Sequence, residues 1–244
     1  MRGMSATVST EGLTAGSTAS TADADFSARV EPASPEPSQP CRYEDLGRIS
    51  FSRAWDIQRD LVARRKSGEI ADQLLLVEHL HVITLGRNAK VQNILAAEAR
   101  LAELKVDVRE TDRGGDVTYH GPGQVVGYPI VDLRAWGGGP LKYVRTLEQA
   151  VMATLGEFGI DTHGGHRPTG VWVDDAKIAA IGVKVSRGVT SHGFAVNVNP
   201  DLSYFQNIIP CGMWDVKVTS MERVLGTQIS MAQVSHRVVE HFGR

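Results

Sequence analysis

Ile178-Ala179-Ala180-Ile181-Gly182-Val183-Lys184-Val185-Ser186-Arg187-Gly188-Val189-Thr190-Ser191-His192-Gly193-Phe194-Ala195-Val196-Asn197-Val198 is the stretch on which the fold turns. Residues 178–186 and 189–198 are apolar or small, with β-branched residues recurring. A two-residue spacer containing glycine, Arg187-Gly188, separates them. That pattern predicts two antiparallel strands joined by a hairpin. Just upstream, Val171-Trp172-Val173 reads as another strand, with Asp174-Asp175-Ala176 as a solvent-facing turn before Lys177.

Further strands are expected at 43–49, at 73–79 and 82–85 joined by a tight turn, at 106–109 and at 125–133. Ser50 or Ser52 caps a helix running to about Lys66, with Gly68 as its stop. A short amphipathic helix is expected over 94–104. The longest helix spans 141–158, where Val144, Leu147, Val151, Leu155 and Phe158 form a core-facing stripe without a functional role. Residues 201–207 read as a short helix or loop. Thr219-Ser220-Met221-Glu222 and Ser230-Met231-Ala232-Gln233 read as capping boxes of two last helices. Many strands, few long helices and no regular βαβ alternation predict an α/β (α+β) domain with a central mixed sheet and flanking helices.

Composition sets the outer limits. The chain has 244 residues, 42% hydrophobic and 22% charged, an ordinary globular balance. Residues 1–41 are rich in Ser, Thr, Ala and Pro and poor in large apolar residues, so they are expected to form a disordered tail. The single folded domain is then 42–244. The tail has no apolar run for a secretory signal, and its two Arg against five acids do not suit a transit peptide. Aliphatic runs are too short for a membrane span, so a cytoplasmic protein is expected. The net charge of −2 argues against nucleic-acid binding by bulk charge, while leaving room for a local basic patch that meets an acidic protein. Two distant cysteines, Cys41 and Cys211, suggest neither a disulfide framework nor a metal site, and no metal or cofactor is expected.

Two regions carry side chains suited to chemistry. Arg113-Gly114-Gly115-Asp116-Val117-Thr118-Tyr119-His120 leads into Gly121-Pro122-Gly123-Gln124. Glycines let a backbone approach a ligand closely, yet the spacing fits neither a P-loop nor a dinucleotide fingerprint. A pair of turns around a strand is the plainer reading. Cys211 lies between Pro210 and Gly212, in a turn at the end of an apolar run. It reads as an inert buried thiol or as a nucleophile. A nucleophilic cysteine needs help to ionise, and a cation brought near by folding supplies it. Lys177, at the head of a small-residue strand, reads as that cation or as a solvated strand-end lysine.

The ordered set of blocks resembles the octanoyltransferases of lipoate assembly. The blocks are Glu78-His79, Thr84-Leu85-Gly86-Arg87, residues 113–124 as quoted above, and Tyr128-Pro129. They continue with Gly170-Val171-Trp172, Lys177-Ile178-Ala179-Ala180-Ile181-Gly182, His192-Gly193-Phe194-Ala195 and Pro210-Cys211-Gly212. The resemblance covers about residues 42–225. It implies a fold similar to the biotin and lipoate protein ligases, with neither metal nor cofactor. It also implies ping-pong acyl transfer from octanoyl-acyl carrier protein to lipoyl domains of 2-oxoacid dehydrogenase complexes and glycine cleavage H protein. By resemblance Cys211 is the nucleophile and Lys177 its proton-managing partner. Residues 113–120, Ala180-Ile181-Gly182 and Gly193-Phe194-Ala195 line the substrate pocket. His120 and backbone N–H groups near Cys211 are candidates to stabilise an oxyanion. Two alternatives stand beside this: an ATP-dependent ligase of the same fold, and a non-catalytic carrier-protein docking module.

Overall fold

Serine caps and mirror-image turns place the elements of the computed structural model, which describes residues 41–165 and 168–243. The tail expected over 1–41 lies outside the described residues, Cys41 apart. Strand β1 (Arg42–Ile49) leads into helix α1 (Phe51–Lys66). Ser50 Oγ accepts the Arg53 N–H and caps α1, while Arg64, Arg65 and Lys66 face the negative end of the helix dipole. Strands β2 (Gln73–His79) and β3 (Val82–Leu85) follow, then helix α2 (Glu98–Glu103) and strands β4 (Asp107–Glu110), β5 (Val117–His120) and β6 (Gln124–Ile130). Helix α3 (Pro140–Gly156) opens on a proline, whose missing N–H has no partner to lose there. Strands β7 (Val171–Val173), β8 (Ala176–Ser186) and β9 (Val189–Asn197) come next, then β10 (Lys217–Val218), α4 (Met221–Leu225) and α5 (Met231–Phe242).

The main sheet runs β1-β2-β6-β9-β8-β10, with β7 paired to β8. It is mixed: β1 with β2 and β10 with β8 are parallel, the remaining pairs antiparallel. Arg187 and Gly188 both have positive φ, 52° and 84°, so the β8–β9 link is a mirror-image hairpin turn matching strand twist. Leu74, Leu76, Val125, Ile178 and Val196 pack against α3 and α5 on one face. Leu75, Val77, Val126, Tyr128 and Ala195 meet Ala54 of α1 on the other. Central strands with both faces covered read as continuous apolar runs, which is why β6 is buried throughout.

A second sheet, β4-β3-β5, stands apart with its own core of Ile83, Leu85, Leu101, Val117 and Tyr119. The strands expected at 73–79 and 82–85 exist, but Leu80 and His81 carry the chain from one sheet to the other. The helix expected over 94–104 shortens to α2, because Ile94 bridges Ile208 and the Leu95 N–H donates to Asn207 O. The cap of α4 is Ser220 and not Thr219, whose N–H is held by Lys177 O. Along α3 the buried face takes in Tyr143, Thr154 and the charged Glu148 beside Leu147, Val151 and Leu155.

Candidate active site

Lys177 is the second residue of β8 and is 5% exposed. Its Nζ lies 3.1 Å from Cys211 Sγ, 3.2 Å from Thr169 O and 4.8 Å from the centre of the Trp172 ring. The acids before it occupy the β7–β8 turn, both exposed, and Asp175 pairs with Lys217 at 2.6 Å.

Cys211 sits in a tight turn, with φ 58° at Cys211 and 68° at Gly212. The Met213 N–H donates to Pro210 O and the Gly212 N–H to Ile209 O. Two successive positive φ angles make this a type I′ turn, which favours glycine and strains an L-residue. The turn is clamped from the small sheet's side. The Ile209 N–H donates to Asn93 O, and Asn93 Nδ2 donates to Asp116 Oδ2 at 2.9 Å. A Cβ at Gly212 would stand within 2.4 Å of that same Asp116 oxygen, so only glycine fits beside the carboxylate.

The cleft leading to Cys211 lies between the two sheets and holds about 560 Å³ of space, its open mouth included. It brings together Arg113, Gly114, Gly115, Asp116, Val117, Thr118 and His120 with Ala180, Ile181, Gly182, Gly193, Phe194 and Ala195, around Lys177 and Cys211. Ala180 opposes Ala195 and Gly182 opposes Gly193 in the β8–β9 register, so one stretch of wall is built of small residues. Tyr119 is turned elsewhere: its hydroxyl bonds His81 Nδ1 at 2.7 Å and its ring packs on Tyr204 and Phe205. It borders a smaller cleft on the other flank of Cys211. Thr118 and His120 face the opposite way from Tyr119, which packs with Val117 in the core of the small sheet.

Phe51, Val126, Tyr128, Thr169 and His192 also line the cleft. They were missed as a group because they come from four separate segments: α1, β6, the loop before β7, and β9. Tyr128 donates its hydroxyl proton to His79 Nε2 at 2.6 Å, since His79 Nδ1 donates to Ile49 O. His192 has φ 56°, and its Nε2 meets Asp112 Oδ1 at 2.8 Å, with Lys184 on the other oxygen.

Charge inside the cleft is unusual. Arg113 is 7% exposed, and its guanidinium donates to Thr84 O, Thr84 Oγ1 and Gly114 O. Burial pushes its pKa down to about 10, a fall that the nearby Asp116 carboxylate opposes, so it stays cationic near neutrality. Burial holds His120 well below the usual histidine range, and nearby His79 and Arg113 reinforce it. The tautomer of His120 follows from a relay. Asn197 Nδ2 donates to Thr219 O, so Asn197 Oδ1 accepts from Gln124 Nε2. Gln124 Oε1 therefore faces His120 Nδ1, which carries the hydrogen. In this tautomer His120 Nε2 is an acceptor. The N–H groups of Gly212 and Met213 are committed within the turn.

Among the described residues no group of three or more His, Cys, Asp or Glu gathers as a metal site would. Among the described residues no helix is long and apolar enough to cross a membrane.

Residues 50–243 match the Lipoyl protein ligase A/B catalytic domain. The chain is 54% identical over 204 residues to the octanoyltransferase of Solibacter usitatus (strain Ellin6076), spanning 84% of this chain and 92% of that protein. It is 50% identical over 204 residues to the octanoyltransferase of Koribacter versatilis (strain Ellin345), spanning 82% and 81%. Among solved structures, lipoate-protein ligase A bound with ATP superposes with a TM-score of 0.67 at 16% identity, covering 82% of this chain and 83% of that one. The bipartite lipoate protein ligase of Thermoplasma acidophilum gives 0.65 at 17%, covering 82% and 81%. The fold is thus that of the lipoate ligases, and by sequence the chain belongs to the octanoyltransferases, acyltransferases of the lipoyl protein ligase A/B catalytic domain family.

Proposed function

We propose that the domain, residues 42–244, transfers an octanoyl group from octanoyl-acyl carrier protein to a lysine of lipoyl domains through a thioester on Cys211. The observation that carries this reading is the 3.1 Å approach of Lys177 Nζ to Cys211 Sγ in the lining of a cleft with a stretch of small residues in its wall. The acceptors are the lipoyl domains of 2-oxoacid dehydrogenase complexes and the glycine cleavage H protein.

In the first half-reaction the Cys211 thiolate attacks the donor thioester carbonyl. The acyl C–S bond of the donor breaks, and the departing thiol takes a proton from the Lys177 ammonium. In the second, a lysine amine of the acceptor attacks the acyl-Cys211 carbonyl. An amide forms, the C–S bond to Cys211 breaks, and neutral Lys177 takes up the proton released by the amine. Exchange between thioesters is nearly balanced, and amide formation draws the sequence forward. The cations Lys177 and Arg113 both favour negative charge at the sulfur. The acyl chain lies along β8 from Lys177 towards Gly182, where five residues span roughly 16 Å. Enclosing most of it is worth roughly 4–5 kcal/mol, at about 0.8 kcal/mol per methylene. A working free thiol suits a reducing compartment, which supports a cytoplasmic location. The ligase alternative is less favoured: the matching family model covers both activities, but the ligase structures are 16–17% identical, against 50–54% for the octanoyltransferases.

Intact-mass measurement after incubation with octanoyl-carrier protein tests this. One octanoyl adduct is expected on the wild type and none on Cys211→Ala. An adduct persisting in that variant refutes the role of Cys211.

A further inference from the structure

Glu148 stands in the middle of α3, and its side chain is 1% exposed. A carboxylate so buried is tolerated only when its oxygens are well bonded. Oε1 accepts the Gly170 N–H at 3.0 Å, and Oε2 accepts the Gly165 N–H at 3.0 Å and Arg145 Nη1 at 2.5 Å. The carboxylate therefore ties down both ends of the segment that enters β7.

That segment touches Lys177 twice. Thr169 O accepts from Nζ at 3.2 Å. Gly170, at φ 140°, lies so close that a Cβ there would stand 3.1 Å from Lys177 Cε and 2.8 Å from Ala179 O. An ammonium has three donors on a flexible stem. Among the described residues Lys177 has no carboxylate to hold its head; its neighbours are the Thr169 carbonyl, the Trp172 ring and the Cys211 sulfur.

We propose that Glu148 is a positioning residue for the acyl-transfer centre: by fixing the Gly165 and Gly170 backbone it places the Thr169 carbonyl that aims Lys177 Nζ at Cys211. This rests on the reading of Lys177 and Cys211 as the reacting pair. Glu148 itself touches neither substrate nor sulfur. Its effect passes through the loop, and it belongs to a helix whose remaining inward residues serve packing.

The test is alkylation of Cys211 by iodoacetamide across pH 5.5–9, using the full chain with Cys41→Ser so that one thiol reports. Rates are compared for Glu148→Gln, Lys177→Met and the double variant, with thermal melts alongside. Gln keeps the shape of Glu148, but its NH₂ group faces an N–H that it cannot accept. Lys177→Met is expected to slow alkylation at neutral pH at least 10-fold and move the pH profile upward. Glu148→Gln should shift both in the same direction by about 3- to 10-fold, and the double variant should be no slower than Lys177→Met alone. A wild-type rate and profile in Glu148→Gln, or a double loss equal to the product of the singles, overturns the proposal. An unmoved profile in Lys177→Met refutes the reacting pair itself, a pattern distinct from failure at Glu148 alone. Should Glu148→Gln not fold, Glu148→Asp, one methylene shorter, is read by the same criteria.

Discussion

Val218 pairs with Lys177 in parallel register, only seven residues after Cys211, and the Thr219 N–H donates to Lys177 O. The chain leaving the Cys211 turn thus closes back onto the strand that carries Lys177. That short return explains how two residues 34 positions apart meet at 3.1 Å. Lys177→Ala is expected to keep the fold and slow Cys211 acylation by about 10²-fold or more, the usual scale for a proton-handling group. Single-turnover acylation followed by mass checks it, and an unchanged rate removes the role.

Ala180 and Ala195 face each other across β8 and β9 on the cleft wall. Ala180→Leu adds bulk where the proximal part of the acyl chain would lie. Octanoyl transfer should fall at least 10-fold, with a butyryl donor losing less. Equal losses for both donors would count against an acyl chain along this wall.

Burial brings the His79 pKa down to about 4 and depresses those of His120 and His192 as well. An unfolded histidine titrates near 6.5, so between the two values the unfolded chain binds more protons than the folded one. Stability from this source is complete above about pH 6.5 and is lost as pH falls towards 4. For His79 alone the loss is on the order of 3 kcal/mol. Urea unfolding at pH 7.5 and 5 should show the decline, and His79→Gln should flatten it.

Arg113 is buried without a carboxylate partner among the described residues, and Thr84 gives it both a carbonyl and a hydroxyl oxygen. Thr84→Val keeps the shape and removes the hydroxyl. A partly unsatisfied buried guanidinium costs about 1–3 kcal/mol, to be read as a lower urea midpoint with unchanged slope. Unaltered stability would show that Gly114 O and Thr84 O suffice.

Local signals were readable in the sequence because they act over a few residues. The Ser50 cap, the Arg187-Gly188 turn, the small-residue strand and the Pro210-Cys211-Gly212 turn all belong to that class. Partner choice was not readable. Nothing near Leu80 and His81 says that β2 and β3 enter different sheets, because each strand selects neighbours distant in sequence. Tyr119 lies among residues that line the main cleft, yet its ring packs in the core of the small sheet. Glu148 escaped notice because a charge on an amphipathic helix ordinarily faces water. Its burial is explained only by Gly165 and Gly170, residues of another segment.

The mirror-image turn that presents Cys211 favours glycine at both central positions, yet the chain keeps a side chain at the first. A non-glycine residue held there carries about 1 kcal/mol of strain. Cys211→Gly, which lacks the thiol, should therefore melt slightly higher than the native protein. On the proposed mechanism, mutational drift towards a sturdier molecule would erase the thiol, and selection for turnover would oppose it.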